Sequence, residues 1–354
     1  MARLRRVDCS GPGIARRRRG RGFEFLDQNG NRVEDPDTLA RINELAIPPA
    51  WNDVWICAHP MGHIQATGVD AAGRKQYRYH DRWRARRDRE KFDEMRDFAR
   101  ALPKLRSRVE ADLALGGISR ERALACAARL LDRGFFRIGS EDYAEENDTY
   151  GVATIQKRHV TVDGDRVAFD YESKGGRRKL QVIGDAAVAE VVRELKRRRG
   201  GGEELLAYRA GQRWVDVKSA DINAYLKEAT GGEFSAKDFR TWSGTVLAAV
   251  ALAVAGMAST SKSARTRAKS RAVKEVARYL GNTPAVCRAS YIDPRVFDRF
   301  DGGLTIGGAL PELADDTAAW PDVQRAVEEA VLDLIANERE SDLVEEGVEL
   351  AAVA

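Results

Sequence analysis

Four cysteines in 354 residues, at positions 9, 57, 126 and 287, share neither a CxxC pair nor the Cys/His spacing of a metal site. That excludes a disulfide framework and leaves free thiols in a reducing cytoplasm as the expectation. Long apolar runs are also missing. The longest candidate, Val246 to Met257, is an Ala-rich stretch of twelve residues that reads as a buried helix, so no membrane association is expected. The N-terminus is basic but lacks the apolar segment of a secretory signal. There is no GxxxxGK[ST] phosphate loop, and no carboxylate cluster of the kind that holds Mg²⁺ in a nuclease. The expectation is therefore a protein with no nucleotide cofactor and no metal. No internal repeat is visible.

What is present is charge, unevenly spread. Residues 311–354 hold 13 Asp/Glu against 2 Lys/Arg, a net of −11 within an overall +4, which leaves +15 on residues 1–310. A basic body of that size points to a polyanionic partner. The length allows about two domains, each with its own core. Residues 1–21, with the run Arg16 to Arg19, read as a flexible basic arm. Residues 22–88 read as a small strand-rich domain: GFEFLD, VWICA, HIQATG and KQYRYH alternate apolar and polar residues between turn signals. From Asp81 the periodicity turns helical and highly charged, marking the passage to a larger domain at 89–310. A helix is expected from the Ser119 N-cap to just before Gly134. A three- or four-stranded antiparallel meander follows over 152–183, then helices from Asp185. The acidic stretch 311–354 reads as a helical appendage. The fold class expected is α+β.

The residues with most to say lie in YLGNTPAVCRASYIDP, 279–294. A helix should end at Leu280, with Gly281 at its left-handed C-terminal position. A second helix should begin at the Thr283 N-cap with Pro284 in its first turn. Tyr291 then falls about two turns in, with Arg288 three residues back, Ser290 adjacent and Asn282 in the turn. A phenol is a poor nucleophile near its free pKa of about 10 and needs cationic neighbours. Attack on a phosphodiester further calls for fork-shaped, always-charged donors and an acid for the leaving oxygen. Arg137 in FFRIGSEDY and Arg240 in KDFRTW each sit among apolar residues, where a cation without an anionic ligand is costly. Lys174 lies at the tip of a hairpin, YESKGG, followed by two glycines. Taken singly, these are ordinary structural Arg, Lys and Tyr residues; their order along the chain is not ordinary.

That order resembles the type IB DNA topoisomerases, specifically the small bacterial and poxvirus-like branch. The resemblance covers roughly residues 22–308 and rests on GVDAAGRKQYRYH, FFRIGSEDYAEENDTYGVATI, the SKGG hairpin, KDFRTW and LGNTPAVCRASYIDP. It implies a strand-rich N-terminal domain and a mostly helical catalytic domain with an antiparallel meander, closing around duplex DNA as a monomer at the nucleoid. It implies that Tyr291 forms a 3′-phosphotyrosyl bond, that Arg137 and Arg240 hold the scissile phosphate, and that Lys174 protonates the 5′ oxygen. Asn282 stands where poxvirus enzymes and tyrosine recombinases generally carry His, which restricts it to hydrogen bonding. Gln76, Tyr77 and Tyr79, flanked by Arg74, Lys75 and Arg78, match the strand that lies in the DNA major groove, and Tyr143 matches a backbone-contacting tyrosine. The alternatives are a tyrosine recombinase, against which Lys237 stands where His is wanted, and a non-catalytic DNA-binding protein.

Overall fold

The computed structural model describes residues 3–141, 144, 148–256, 261–313 and 320–346. It is α+β and divides into two compact units, Met1–Asp93 and Glu94–Ala354. The boundary expected at 88/89 thus lies a few residues earlier than the observed division, which falls inside one helix.

In the first unit, strands β1 (Ile14–Arg19), β2 (Gly22–Leu26), β3 (Asn52–Ile56), β4 (Ile64–Val69) and β5 (Lys75–Tyr79) form an antiparallel sheet in the order β2-β1-β3-β4-β5. Helix α1 (Pro36–Glu44) was not expected, although Asp35 caps it by accepting from Thr38 N and Pro36 opens it. Ile14, Ile42, Val54, Ile56 and Ala66 make the core, with Phe25, Leu45 and Trp51 packed on it.

The N-terminal arm needs correcting. Residues 14–19 are a central strand, paired with β2 from Ala15↔Leu26 to Arg19↔Gly22 and with β3 through Ile14↔Ile56. Buried Ile14 anchors one end. The arginines are ordered by local partners. Arg16 stacks over Phe23 at 4.1 Å and donates to the Pro48 and Trp51 carbonyls, while Arg17 pairs with Glu24 at 2.6 Å. A run of like charge reads as disorder only when its partners are not considered.

The second unit is built on helices. Helix α2 (Asp81–Leu113) enters it, and α3 (Arg120–Gly134) begins at Ser119, whose side chain accepts from Arg122 N as expected. The meander is three-stranded: β6 (Val160–Asp163), β7 (Arg166–Ser173) and β8 (Arg177–Gly184). Residues 152–155 are not a strand. Their amides instead hold the Arg137 segment, with Val152 N donating to Arg137 O and Ala153 N to Ile138 O at 2.9 and 2.7 Å. Next come α4 (Ala186–Arg197), an unexpected hairpin β9–β10 (Ala207–Ala210, Arg213–Asp216) and α5 (Ser219–Thr230). They are followed by α6 (Ala236–Gly256), α7 (Lys262–Leu280), α8 (Pro284–Ser290) and α9 (Pro294–Asp301). Helix α6 is long and apolar enough to span a membrane by length and composition alone; 56% of that stretch is buried inside the fold.

The C-terminal stretch also departs from expectation. Helix α10 (Trp320–Ala336) is no appendage among the described residues, because Val327, Ala330, Val331 and Leu334 are buried at helical spacing. Arg106 joins it to the body, bonding Asp132 at 2.9 Å and Glu328 at 2.7 Å. Acidic composition hides an amphipathic face.

Candidate active site

Helix α7 ends at Leu280, and Gly281 caps it in the left-handed region at φ 64°. The last carbonyls of a helix have no partner within it and carry partial negative charge. Three cations take them in order. Lys179 Nζ donates to Tyr279 O at 3.5 Å, Arg240 Nη2 to Leu280 O at 2.8 Å, and Arg137 Nη2 to Gly281 O at 3.3 Å. Asn282 comes next, its Oδ1 accepting from Arg137 Nη2 and, at 3.5 Å, from Arg240 Nη2. The helix end is thus the bracket on which both guanidiniums are mounted.

Phe135 forms the opposite side of the bracket. It ends α3 in the left-handed conformation, φ 53°, and its carbonyl accepts from Arg240 Nη1 at 2.9 Å and from Lys179 Nζ at 2.8 Å. Arg240 is only 4% exposed, yet the hydrogen bonds it makes go to carbonyl oxygens, an amide and a phenol, and its buried Nε has no partner. Burial, and then the neighbouring Arg137, push its guanidinium below the usual range. A cation desolvated this far, bonded to no carboxylate among the described residues, is poised to receive an anion.

Tyr291 lies at the C-terminal end of α8, as its capping residue, rather than inside the helix as the spacing suggested. Thr283 does cap the start, accepting from Val286 N. The Arg240 guanidinium sits 5.2 Å from the Tyr291 ring centroid. Burial by itself raises the phenol pKa, but the charge and hydrogen bond of Arg240, helped by Arg137 and Asn282, outweigh it. The hydroxyl therefore ionises more readily than an ordinary tyrosine. Gly244 makes the position possible: one turn after Arg240 on α6, a Cβ there would meet Tyr291 O at 2.5 Å. Arg288 plays no comparable part, as it stacks over Phe297 at 4.9 Å.

Lys174 lies at the tip between β7 and β8, beside Gly175 and Gly176. With Arg137, Tyr150, Lys237, Arg240 and Tyr291 it lines a cavity of about 320 Å³. A larger cavity of about 440 Å³, between α3, α6, β8 and α10, is walled mostly by apolar side chains such as Val182, Val246, Val250 and Val327. Two of its charged residues, Asp132 and Glu328, are already engaged with Arg106. The smaller cavity is where convergent polar chemistry sits.

The N-terminal residues divide by strand face. Tyr77 and Tyr79 are 44% and 37% exposed with their rings stacked at 6.0 Å, and Lys75 Nζ lies 5.8 Å from the Tyr77 ring. Gln76 and Arg74 are tied to Asp70 at 2.9 Å each, so the amide does not share the aromatic face. Tyr143 lies outside the described residues. Sequence reasoning missed Lys179; the signal was the inward period-two alternation Lys179, Gln181, Ile183 on β8.

A buried Arg240 beside a half-buried Arg137, facing a tyrosine of lowered pKa and a hairpin lysine, is a site equipped for phosphoryl transfer. The family model described as the eukaryotic DNA topoisomerase I catalytic core matches residues 80–300, and that of the bacterial DNA topoisomerase IB N-terminal domain matches residues 22–70. The chain is 31% identical over 287 residues to DNA topoisomerase 1B of Acanthamoeba polyphaga mimivirus, covering 79% of this chain and 85% of that one. It is 25% identical over 160 residues to DNA topoisomerase 1 of Daucus carota, covering 45% of this chain and 19% of the plant protein. The chain belongs to the type IB DNA topoisomerase family, and it is a type I DNA topoisomerase.

Proposed function

We propose that the enzyme relaxes supercoiled duplex DNA, as a monomer, by cutting one strand through a covalent phosphotyrosine at Tyr291. Tyr291, its hydroxyl proton released to solvent, forms a bond from its oxygen to the scissile phosphorus while the bond from phosphorus to the 5′ oxygen breaks. Arg137 and Arg240 hold the non-bridging oxygens, with Asn282 ordering both guanidiniums. Lys174 supplies the proton that leaves with the 5′ hydroxyl. Rotation of the free end removes supercoils, and the same hydroxyl attacks phosphorus to expel the tyrosine. One phosphoester replaces another in each direction, so neither nucleotide hydrolysis nor an obligatory metal ion is called for.

The observation that carries this reading is the buried Arg240, bonded to no carboxylate among the described residues, beside Arg137 and stacked on a phenol whose ionisation it promotes. The surface leading to it suits a duplex. Arg267, Arg271, Lys274 and Arg278 recur at helical spacing on the exposed side of α7, a stripe about 16 Å long at 1.5 Å per residue that ends beside Asn282. Like charges so spaced destabilise a helix in isolation and are suited to phosphates.

The direct test is relaxation of negatively and positively supercoiled plasmid in EDTA without ATP. Both are expected to relax. A protein that shifts the plasmid on a gel but relaxes neither is a DNA binder or a partner-dependent recombinase, and the reading fails. The role of Lys174 has its own test. Lys174→Ala should slow cleavage of an ordinary duplex by about 10²–10⁴, the usual range for a lost general acid. A substrate with sulfur in the 5′ bridging position should restore the rate, since a thiolate, with a pKa of about 8.5, leaves without a proton. Equal slowing on both substrates would assign Lys174 to phosphate binding instead.

A further inference from the structure

Among the described residues, Lys179 is a cation at the α7 terminus that has no part in the chemistry proposed for Tyr291. It lies on β8, paired across the meander with Tyr171 of β7, five residues beyond Lys174. Its ammonium group faces inward, 5.4 Å from the Phe136 ring, and reaches two carbonyls from distant parts of the chain: Phe135 at 2.8 Å and Tyr279 at 3.5 Å. The first is shared with Arg240 Nη1. The second is the carbonyl immediately before Leu280, which receives Arg240 Nη2.

We propose that Lys179 is a positioning residue for the strand-transfer reaction, clamping the Phe135 and Tyr279 carbonyls so that Arg240 and the turn bearing Asn282 keep their places around the scissile phosphate. The inference rests on the proposed chemistry at Tyr291 and adds a residue to it. Phe135 is a non-glycine residue in the left-handed region, a conformation that persists only where its surroundings enforce it. Two donors on one carbonyl do so here. Without Lys179, Arg240 keeps its bond to Phe135 but loses the second constraint on that peptide and the brace on the last turn of α7.

The groups around Lys179 make it sensitive to what occupies the cavity. Arg240 of α6 and Arg137 of the preceding loop act on it as like charges. Tyr171 of β7 is buried, and its phenol is pushed up, so it stays neutral. On α7, Tyr279 presents a carbonyl and carries Arg278 on its ring. On β8 itself Arg178 is paired with Asp170, away from the site. Burial, followed by the two arginines, lowers the Lys179 pKa to about 7. A phosphodiester bound by those arginines offsets their charge, which draws a proton back onto Lys179. DNA binding above neutrality is therefore coupled to proton uptake at this residue.

The test compares wild type, Lys179→Met and Lys179→Arg on a duplex whose cleaved end diffuses away. Single-turnover cleavage at saturating DNA should fall about 10- to 100-fold in Lys179→Met while the DNA Kd stays within about threefold, and Lys179→Arg should recover most of the rate. Calorimetric titration at pH 7.5–8 in buffers of different ionisation heat should show proton uptake for wild type that is missing from both variants. Should Lys179→Met not fold, Lys179→Gln carries the same comparison. Wild-type cleavage and proton uptake in a folded neutral variant would overturn this inference alone, as would a loss expressed wholly in Kd. A wild type that does not cleave would sink the underlying reading as well.

Discussion

Replacing Tyr291 by Phe is expected to abolish strand cleavage while leaving duplex binding within about twofold. Removing the attacking atom of a covalent mechanism costs on the order of a millionfold. The ring stays, and with it the face over which Arg240 lies at 5.2 Å, so the pocket has no reason to collapse. The measurement is denaturant-trapped covalent DNA–protein complex on a labelled duplex. Persistence of the adduct in Tyr291→Phe would mean that another side chain attacks. Among the described residues the other phenol lining the cavity is Tyr150, and its surroundings argue against it. Its hydroxyl is bonded to Asp148 and to Arg158, and burial together with the Asp148 carboxylate pushes its pKa up. Tyr291 and Tyr150 line one cavity, and their neighbours push their acidities in opposite directions.

Most of this site is legible in the sequence because its parts lie in local signals. The Gly281 cap and Thr283 N-cap fix the turn that carries Asn282, and the apolar flanks of Arg240 and Arg137 announce cations withdrawn from solvent, the first fully and the second in part. Lys179 is not legible in the same way. Its meaning depends on a helix end a hundred residues later and on a carbonyl forty-four residues earlier. In the string RRK it looks like one more solvated charge. Tyr291 illustrates a smaller limit, since helical periodicity extends smoothly to it whereas the helix itself stops at Ser290.

The fold shows the same division. Capped helices and the alternating meander follow from local chemistry. In segments 14–19 and 320–336 charge composition outweighs pattern, and both depart from expectation for that reason. In the first, Ile14 is the single apolar residue that enters the core, and the arginines are held by carbonyls, a ring and Glu24. In the second, the buried stripe from Val327 to Leu334 is interleaved with carboxylates, one of which finds Arg106. Net charge describes what a segment shows to solvent, and both segments turn their other face inward.

Arg240→Ala separates activity from stability. Removing one preorganised donor to a developing oxyanion costs about 10²–10³ in rate, and cleavage should fall by at least that factor. The pH dependence gives the second half of the expectation. Burial raises the Tyr291 pKa, and Arg240 is the leading influence that brings it below the ordinary phenol value. With Arg240 gone burial is less opposed, so the pKa rises. The ascending limb of the cleavage rate against pH, expected in wild type to level off below the ordinary phenol range, should move to higher pH. The deficit should therefore be widest near neutrality and narrow as pH rises. Folding stability should not follow activity down, because the substitution also removes a buried cation bonded to no carboxylate. Lysine should not substitute, since one ammonium on a flexible stem cannot span the Phe135 and Leu280 carbonyls as the fork does. A pH limb unmoved in Arg240→Ala would show that Tyr291 is activated by some group other than the arginine beneath it.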